Sequence, residues 1–179
     1  MEQISRGDVI QPCFRHTSSL SKVIHHAWPQ LVWKRIWSLP LPFKIRFFIW
    51  QLCHDRLPVK QNLVIKVFHD NLACPLCHSN LESTTYLFLS CEFVQQVWFG
   101  FSLGIYTSSH SATPVSFWLG SWFSHLNLSN NDDLELLFQI IAILWATWKV
   151  RGQCVFNGKN FSPLQVLFLA KDIFSSLLI

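Results

Sequence analysis

Acidic side chains are scarce in this chain. Ten Asp and Glu stand among 179 residues, most of them scattered or at helix starts, whereas a magnesium-dependent nuclease site needs several carboxylates converging on its ions. Glycine is rarer still, at six residues. None of the six belongs to a Gly-x4-Gly-Lys phosphate loop or a Gly-x-Ser-x-Gly nucleophile elbow, and no Cys/His pair is picked out as a nucleophile and its base. The sequence therefore predicts a protein that is not an enzyme. Long apolar runs are missing too: Leu136 to Trp148 is closed by Glu135 and Lys149 and falls short of the ~20 residues a bilayer-spanning helix requires. No membrane partner is expected. The opening Met1-Glu2-Gln3-Ile4-Ser5-Arg6 has no apolar core of a secretory signal, and no internal repeat or low-complexity tract is present.

Aromatic bulk is abundant. Half the residues are hydrophobic, with nine Trp and sixteen Phe, and only 13% are charged, which excludes a disordered tail and provides for one domain with an appendage. Of six cysteines, Cys74, Cys77 and Cys91 cluster, while Cys13, Cys53 and Cys154 sit among apolar neighbours. That distribution fits a reducing, intracellular compartment better than a disulfide framework. In such a compartment Asn127-Leu128-Ser129 and Asn160-Phe161-Ser162 are chance sequons. The net charge of +4 is unevenly spread: Lys22, Lys34, Arg35, Lys44, Arg46, Arg56, Lys60 and Lys66 face the single acid Asp55 between residues 22 and 66. Such a segment suggests a polyanion; a set of solvated helix faces is the alternative.

The periodicity predicts an all-α chain. Residues 1–20 read as a loose arm, and a helical pattern starts at Ser21, with Pro29 kinking it and Trp28, Trp33 and Trp37 assigned to the core rather than to base stacking. Leu39-Pro40-Leu41-Pro42 is a stiff connector. Phe43 to His54 is apolar almost all round and is expected at the centre of the core, with Phe48 and Trp50 packed inside. Val59 to Phe68 starts another helix. Ser79-Asn80-Leu81-Glu82 has the form of a capping box that would begin a short helix delivering Cys91, and a helix from Glu92 to about Phe101 follows. Residues 104–116 form a turn-rich linker that separates a first domain, 21–103, from a helical segment, 117–179. That segment contains a short helix from Phe117, a long one from Leu134 to Val150, a break at 152–158 with a brief strand at Cys154-Val155-Phe156, and a last helix announced by Ser162-Pro163.

Cys74-Pro75-Leu76-Cys77 has the spacing with which two thiolates bite one Zn²⁺ from a tight turn, and Cys91 supplies a third. The position five residues before Cys91, where a histidine would complete the set, holds Tyr86, whose protonated phenol is a poor ligand. His78 is the nearest imidazole and His69 a more distant one. The alternative to a zinc knuckle is a degenerate one, with three reduced, buried thiols.

Trp33 to Trp37, the run from Leu39 to Trp50, Leu57, Asn62-Leu63, Cys74 and Cys77, Glu82, Cys91 and Trp98 follow one another in an order that resembles the zinc-binding domain behind the reverse transcriptase of plant non-LTR (LINE-like) retroelements. The resemblance spans roughly residues 28 to 100, with an echo in Trp145-Ala146-Thr147-Trp148-Lys149-Val150-Arg151 of the spacer before the family's ribonuclease H domain. It implies a structural zinc ion on Cys74, Cys77 and Cys91 and a non-catalytic accessory role. The polymerase and nuclease domains would be the natural intramolecular partners. The charge pattern nominates Lys34, Arg35, Lys44, Arg46, Lys60 and Lys66 for non-specific contact with RNA or DNA. A relict or protein-interaction module that binds neither zinc nor nucleic acid is the rival expectation.

Overall fold

The computed structural model describes residues 30–63, 71–101, 103, 105–107 and 113–178. The N-terminal arm, Trp28, Lys66, His69 and residues 108–112 of the linker lie outside them. Within them the fold is all-α, around one small cysteine knuckle.

Helix α1, Gln30–Ser38, buries Val32 and Ile36. It stops ahead of Pro40, as a residue preceding proline disfavours helical geometry. Pro42, with φ −53° and ψ 140°, is the N-cap of α2, Phe43–Cys53, which buries Ile45, Phe48, Ile49 and Leu52 at helical spacing. Phe48 is central: its ring meets Phe88 at 6.1 Å, Trp145 at 5.1 Å and Trp148 at 6.2 Å. Trp50 is not. It is half-buried on the other side of the helix, because a helix that is apolar all round still offers only one face to the layer beneath it.

Helix α3, Lys60–Leu63, precedes the knuckle, the rest of the helix expected to reach Phe68 lying outside the described residues; a π-helical turn, Tyr86–Ser90, and α4, Glu92–Gly100, follow the knuckle. Trp98 on α4 donates from its indole nitrogen to the Phe88 carbonyl at 2.9 Å and meets Trp118 edge-on at 5.4 Å, which ties α4 to the π turn and to α5, Val115–His125. Helix α6 runs from Asn131 to Asn157. Asn130 caps it by accepting from the Asp132 N–H at 2.8 Å, and Asp132 and Asp133 lie in its first turn, where the helix dipole favours acids.

The long helix does not break at Gly152, nor do Cys154-Val155-Phe156 form a strand. One glycine costs a helix only about 1 kcal/mol, too little to end one this long; the stop is Gly158, at φ 61°, where a residue without Cβ adopts the left-handed cap freely. Ser162 and Gln165 form a complete capping box at the start of α7, Pro163–Leu177, with Pro163 in its first turn. Helix α7 lies along α6 and against α4, while α5 packs on α1 and α2. The described buried residues from Val32 to Leu177 form one cluster. Among the described residues no helix is long and apolar enough to cross a membrane.

Candidate metal centre

The knuckle begins with an antiparallel bridge between Ala73 and Leu81. Inside it the Cys74 N–H donates to the Asn80 carbonyl and the His78 N–H to the Cys74 carbonyl, both at 2.8 Å. His78 closes the turn in the left-handed conformation, φ 58°, which few non-glycine residues adopt. On the far side the Ser83 hydroxyl accepts from the Tyr86 N–H at 3.0 Å. Ser83, not Ser79, therefore opens the helical turn: the Ser79 hydroxyl donates to the Cys77 carbonyl, and Glu82 is engaged elsewhere. The π turn ends at Cys91, whose N–H donates to the Tyr86 carbonyl at 2.8 Å and which is also the N-cap of α4.

This framework brings three thiols together. The sulfurs of Cys74, Cys77 and Cys91 all lie within 4.8 Å of one another, with Cys74 and Cys91 buried. Cys74 Sγ and Cys91 Sγ are 3.8 Å apart. Thiolates bound at ~2.3 Å at two corners of a tetrahedron are themselves about 3.8 Å apart, so the donor set matches zinc in chemistry and in spacing. Tyr86 stands beside the trio: its hydroxyl is 3.2 Å from Cys77 Sγ and accepts from the Asn80 side-chain amide at 3.2 Å. His78 is exposed and is not part of the cluster.

The hydrogen bond between the two buried thiols polarises the pair. It holds Cys74 down at about 6 and pushes Cys91 well above the usual thiol range, so the pair keeps one proton near neutrality. Tyr86 is raised to about 12 by desolvation, aided by its hydrogen bond to Cys77. Cys53 and Cys154 are raised by burial, as expected of thiols that only pack.

One feature of the site has no signature in sequence spacing. The Glu82 carboxylate, fully buried, receives Arg151 Nε at 2.8 Å and Arg151 Nη2 at 2.9 Å in a two-pronged ion pair, and also the Lys60 backbone N–H at 2.8 Å. The Arg151 guanidinium lies 5.1 Å from the Trp148 ring. Glu82 directly follows the bridging Leu81, so this pair fastens the knuckle to the C-terminal part of α6. Nothing local in the sequence joins two residues 69 positions apart.

The basic residues are dispersed in role. Lys34 and Lys44 are exposed. Arg35 donates to the Phe123 carbonyl at 2.6 Å, Arg46 to the Trp37 carbonyl at 2.8 Å and Lys60 to the Ala73 carbonyl at 2.7 Å, so each of these three also holds the fold together. Lys66 lies outside the described residues.

Residues 14–98 match the model of the family described as zinc-binding in reverse transcriptase, and the cysteine trio lies within the matched stretch. No curated protein and no solved structure matches the chain.

Proposed function

We propose, from the premise that residues 14–98 are a zinc-binding region of the reverse-transcriptase type, that this chain is a non-catalytic accessory module of a LINE-like plant retroelement. In this reading Cys74, Cys77 and Cys91 hold a structural zinc ion, and the basic first half touches RNA or DNA without sequence preference. The observation that carries it is the 3.8 Å separation of two buried sulfurs inside a three-cysteine cluster, set within the family match. Zinc, when bound, neutralises the thiolates and cross-links a segment too small to hold itself. The protein's own residues do the rest: the Ala73–Leu81 bridge and the π turn preset the sulfur positions, and Asn80 with Cys77 holds the Tyr86 hydroxyl beside the trio.

The non-catalytic part of the reading is supported by how the acids are used. Glu82 is consumed by Arg151, Asp132 and Asp133 sit in the first turn of α6, and among the described residues the cysteine trio is the one grouping of three metal-ligating side chains. The retroelement assignment is supported by the order of Trp, Pro and Cys residues and by the Trp145–Arg151 echo, whose Arg151 reaches back to Glu82. The decisive experiment is metal analysis of the purified full chain: one zinc per chain, lost in Cys77→Ser together with thermal stability. A folded, zinc-free protein that takes up no zinc at neutral pH would leave the relict or protein-interaction reading in its place.

A further inference from the structure

Helix α2 has two apolar faces, and only one of them is core. Phe43, Phe47, Trp50 and His54, three or four residues apart and therefore on one side, lie away from Ile45, Phe48, Ile49 and Leu52; Phe43 is 65% and Phe47 42% exposed. Their rings continue one another. From Trp37 to Phe43 the centroids are 6.3 Å apart, from Phe43 to Phe47 6.0 Å at 14°, from Phe47 to Trp50 5.6 Å at 15°, from Trp50 to His54 4.7 Å, and from His54 to Trp33 4.8 Å at 20°. Six side chains of α1, α2 and its C-cap thus form a surface ladder of aromatic rings. Trp37, assigned to the core from sequence, is 39% exposed in it.

Cations accompany the ladder along its length. The Arg46 charge centre is 6.0 Å from the Trp37 ring and that of Arg56 5.9 Å from the Trp50 ring, Lys34 and Lys44 are exposed beside them, and residues 30–54 contain no Asp or Glu. An apolar protein partner would bury those charges without compensation. The complementary ligand offers flat π faces and a repeating negative charge, with its bases not already stacked in a duplex.

We infer that the ladder is a stacking platform for single-stranded nucleic acid, with bases laid on Phe43 and Phe47 and phosphates met by Lys34, Lys44 and Arg56. The inference rests on the nucleic-acid contact proposed above and gives it a place and a strand state. Stacking is indifferent to base identity, so binding is sequence-tolerant. The test uses zinc-supplemented full-length protein with three probes: a dT 12-mer, an abasic 12-mer of the same charge, and a 12-base-pair duplex. The dT oligomer is expected to quench tryptophan fluorescence and to bind at least tenfold more tightly than the other two. Phe43→Ala and Phe47→Ala each weaken dT binding about five- to a hundredfold and leave abasic binding, zinc content and the circular-dichroism melt unchanged; Phe47→Trp restores affinity. Equal affinity for dT and abasic oligomers, unaltered by either variant, overturns the ladder while leaving backbone electrostatics in place. Absence of binding to every probe at low ionic strength overturns the ladder and the nucleic-acid contact together, whereas the zinc content measured on the same samples reports on the metal site alone. Concentration-dependent dimerisation abolished by Phe43→Ala overturns the inference in favour of a self-association face.

Discussion

Replacing Arg151 by methionine isolates the energetic role of the buried ion pair. Glu82 is 0% and the Arg151 side chain 3% exposed, and the carboxylate receives three donors, two from the guanidinium and one from the Lys60 N–H. In Arg151→Met a full negative charge would remain in a site closed to water with a single backbone donor, a loss of about 3–5 kcal/mol. For a chain of this size each kcal/mol moves the melting temperature by about 2–4 °C, so a fall of about 6–20 °C is expected. Because the intact pair also bears the cost of desolvating two charges, the double variant Glu82→Gln/Arg151→Met is expected to lose less than the two single variants added together. The assay is reversible thermal or urea unfolding of wild type, both singles and the double in excess zinc, with coincidence of two spectroscopic probes as the check on two-state behaviour. Glu82 adjoins Leu81, which pairs with Ala73 beside Cys74, so Arg151→Met should also weaken zinc binding from 60 positions beyond Cys91. Melting within 2 °C of wild type for both singles, or strict additivity in the double, would refute the reasoning.

Other outcomes follow from particular contacts. Phe48→Ala, which removes a ring set among Phe88, Trp145 and Trp148, should cost about 3–5 kcal/mol, and Trp50→Ala, on the half-buried face, clearly less in the same urea titration; equal losses would place Trp50 in the core. Tyr86→His puts an imidazole at the fourth corner and should raise zinc affinity in a chelator competition, while unchanged affinity would show that Tyr86 does not mark that corner. Zinc affinity should increase with pH, because Cys91 keeps its proton near neutrality and must release it on binding; the dependence should steepen as pH falls through about 6, where Cys74 too becomes protonated, and a pH-independent affinity from 5.5 to 8 would contradict it. Lys34→Gln with Lys44→Gln, the two exposed lysines that hold no fold contact in common with Arg35 or Arg46, should reduce the slope of log affinity against log salt by about 1.4 for a single strand if each meets one phosphate; an unaltered slope would place the phosphates elsewhere.

What the sequence determined by itself was everything encoded within a few residues of chain: helices where apolar positions recur at three and four, the proline stop before α2, the Ser162–Gln165 box and Pro163 at the head of α7, and the Cys-x2-Cys bite with Cys91 to follow. Such signals are short-range, because caps, turns and chelating spacings are closed by neighbouring residues. Tertiary structure decided the rest. Whether Glu82 caps a helix or pairs with a cation depended on Arg151 arriving from α6. Trp50 carries the same apolar character as Phe48, yet only the layer beneath α2 chooses which face of that helix is covered, and it is the uncovered face that gathers the rings and cations into one surface. Hydrophobicity declares that a side chain gains by leaving water; it does not say which neighbour will take it in.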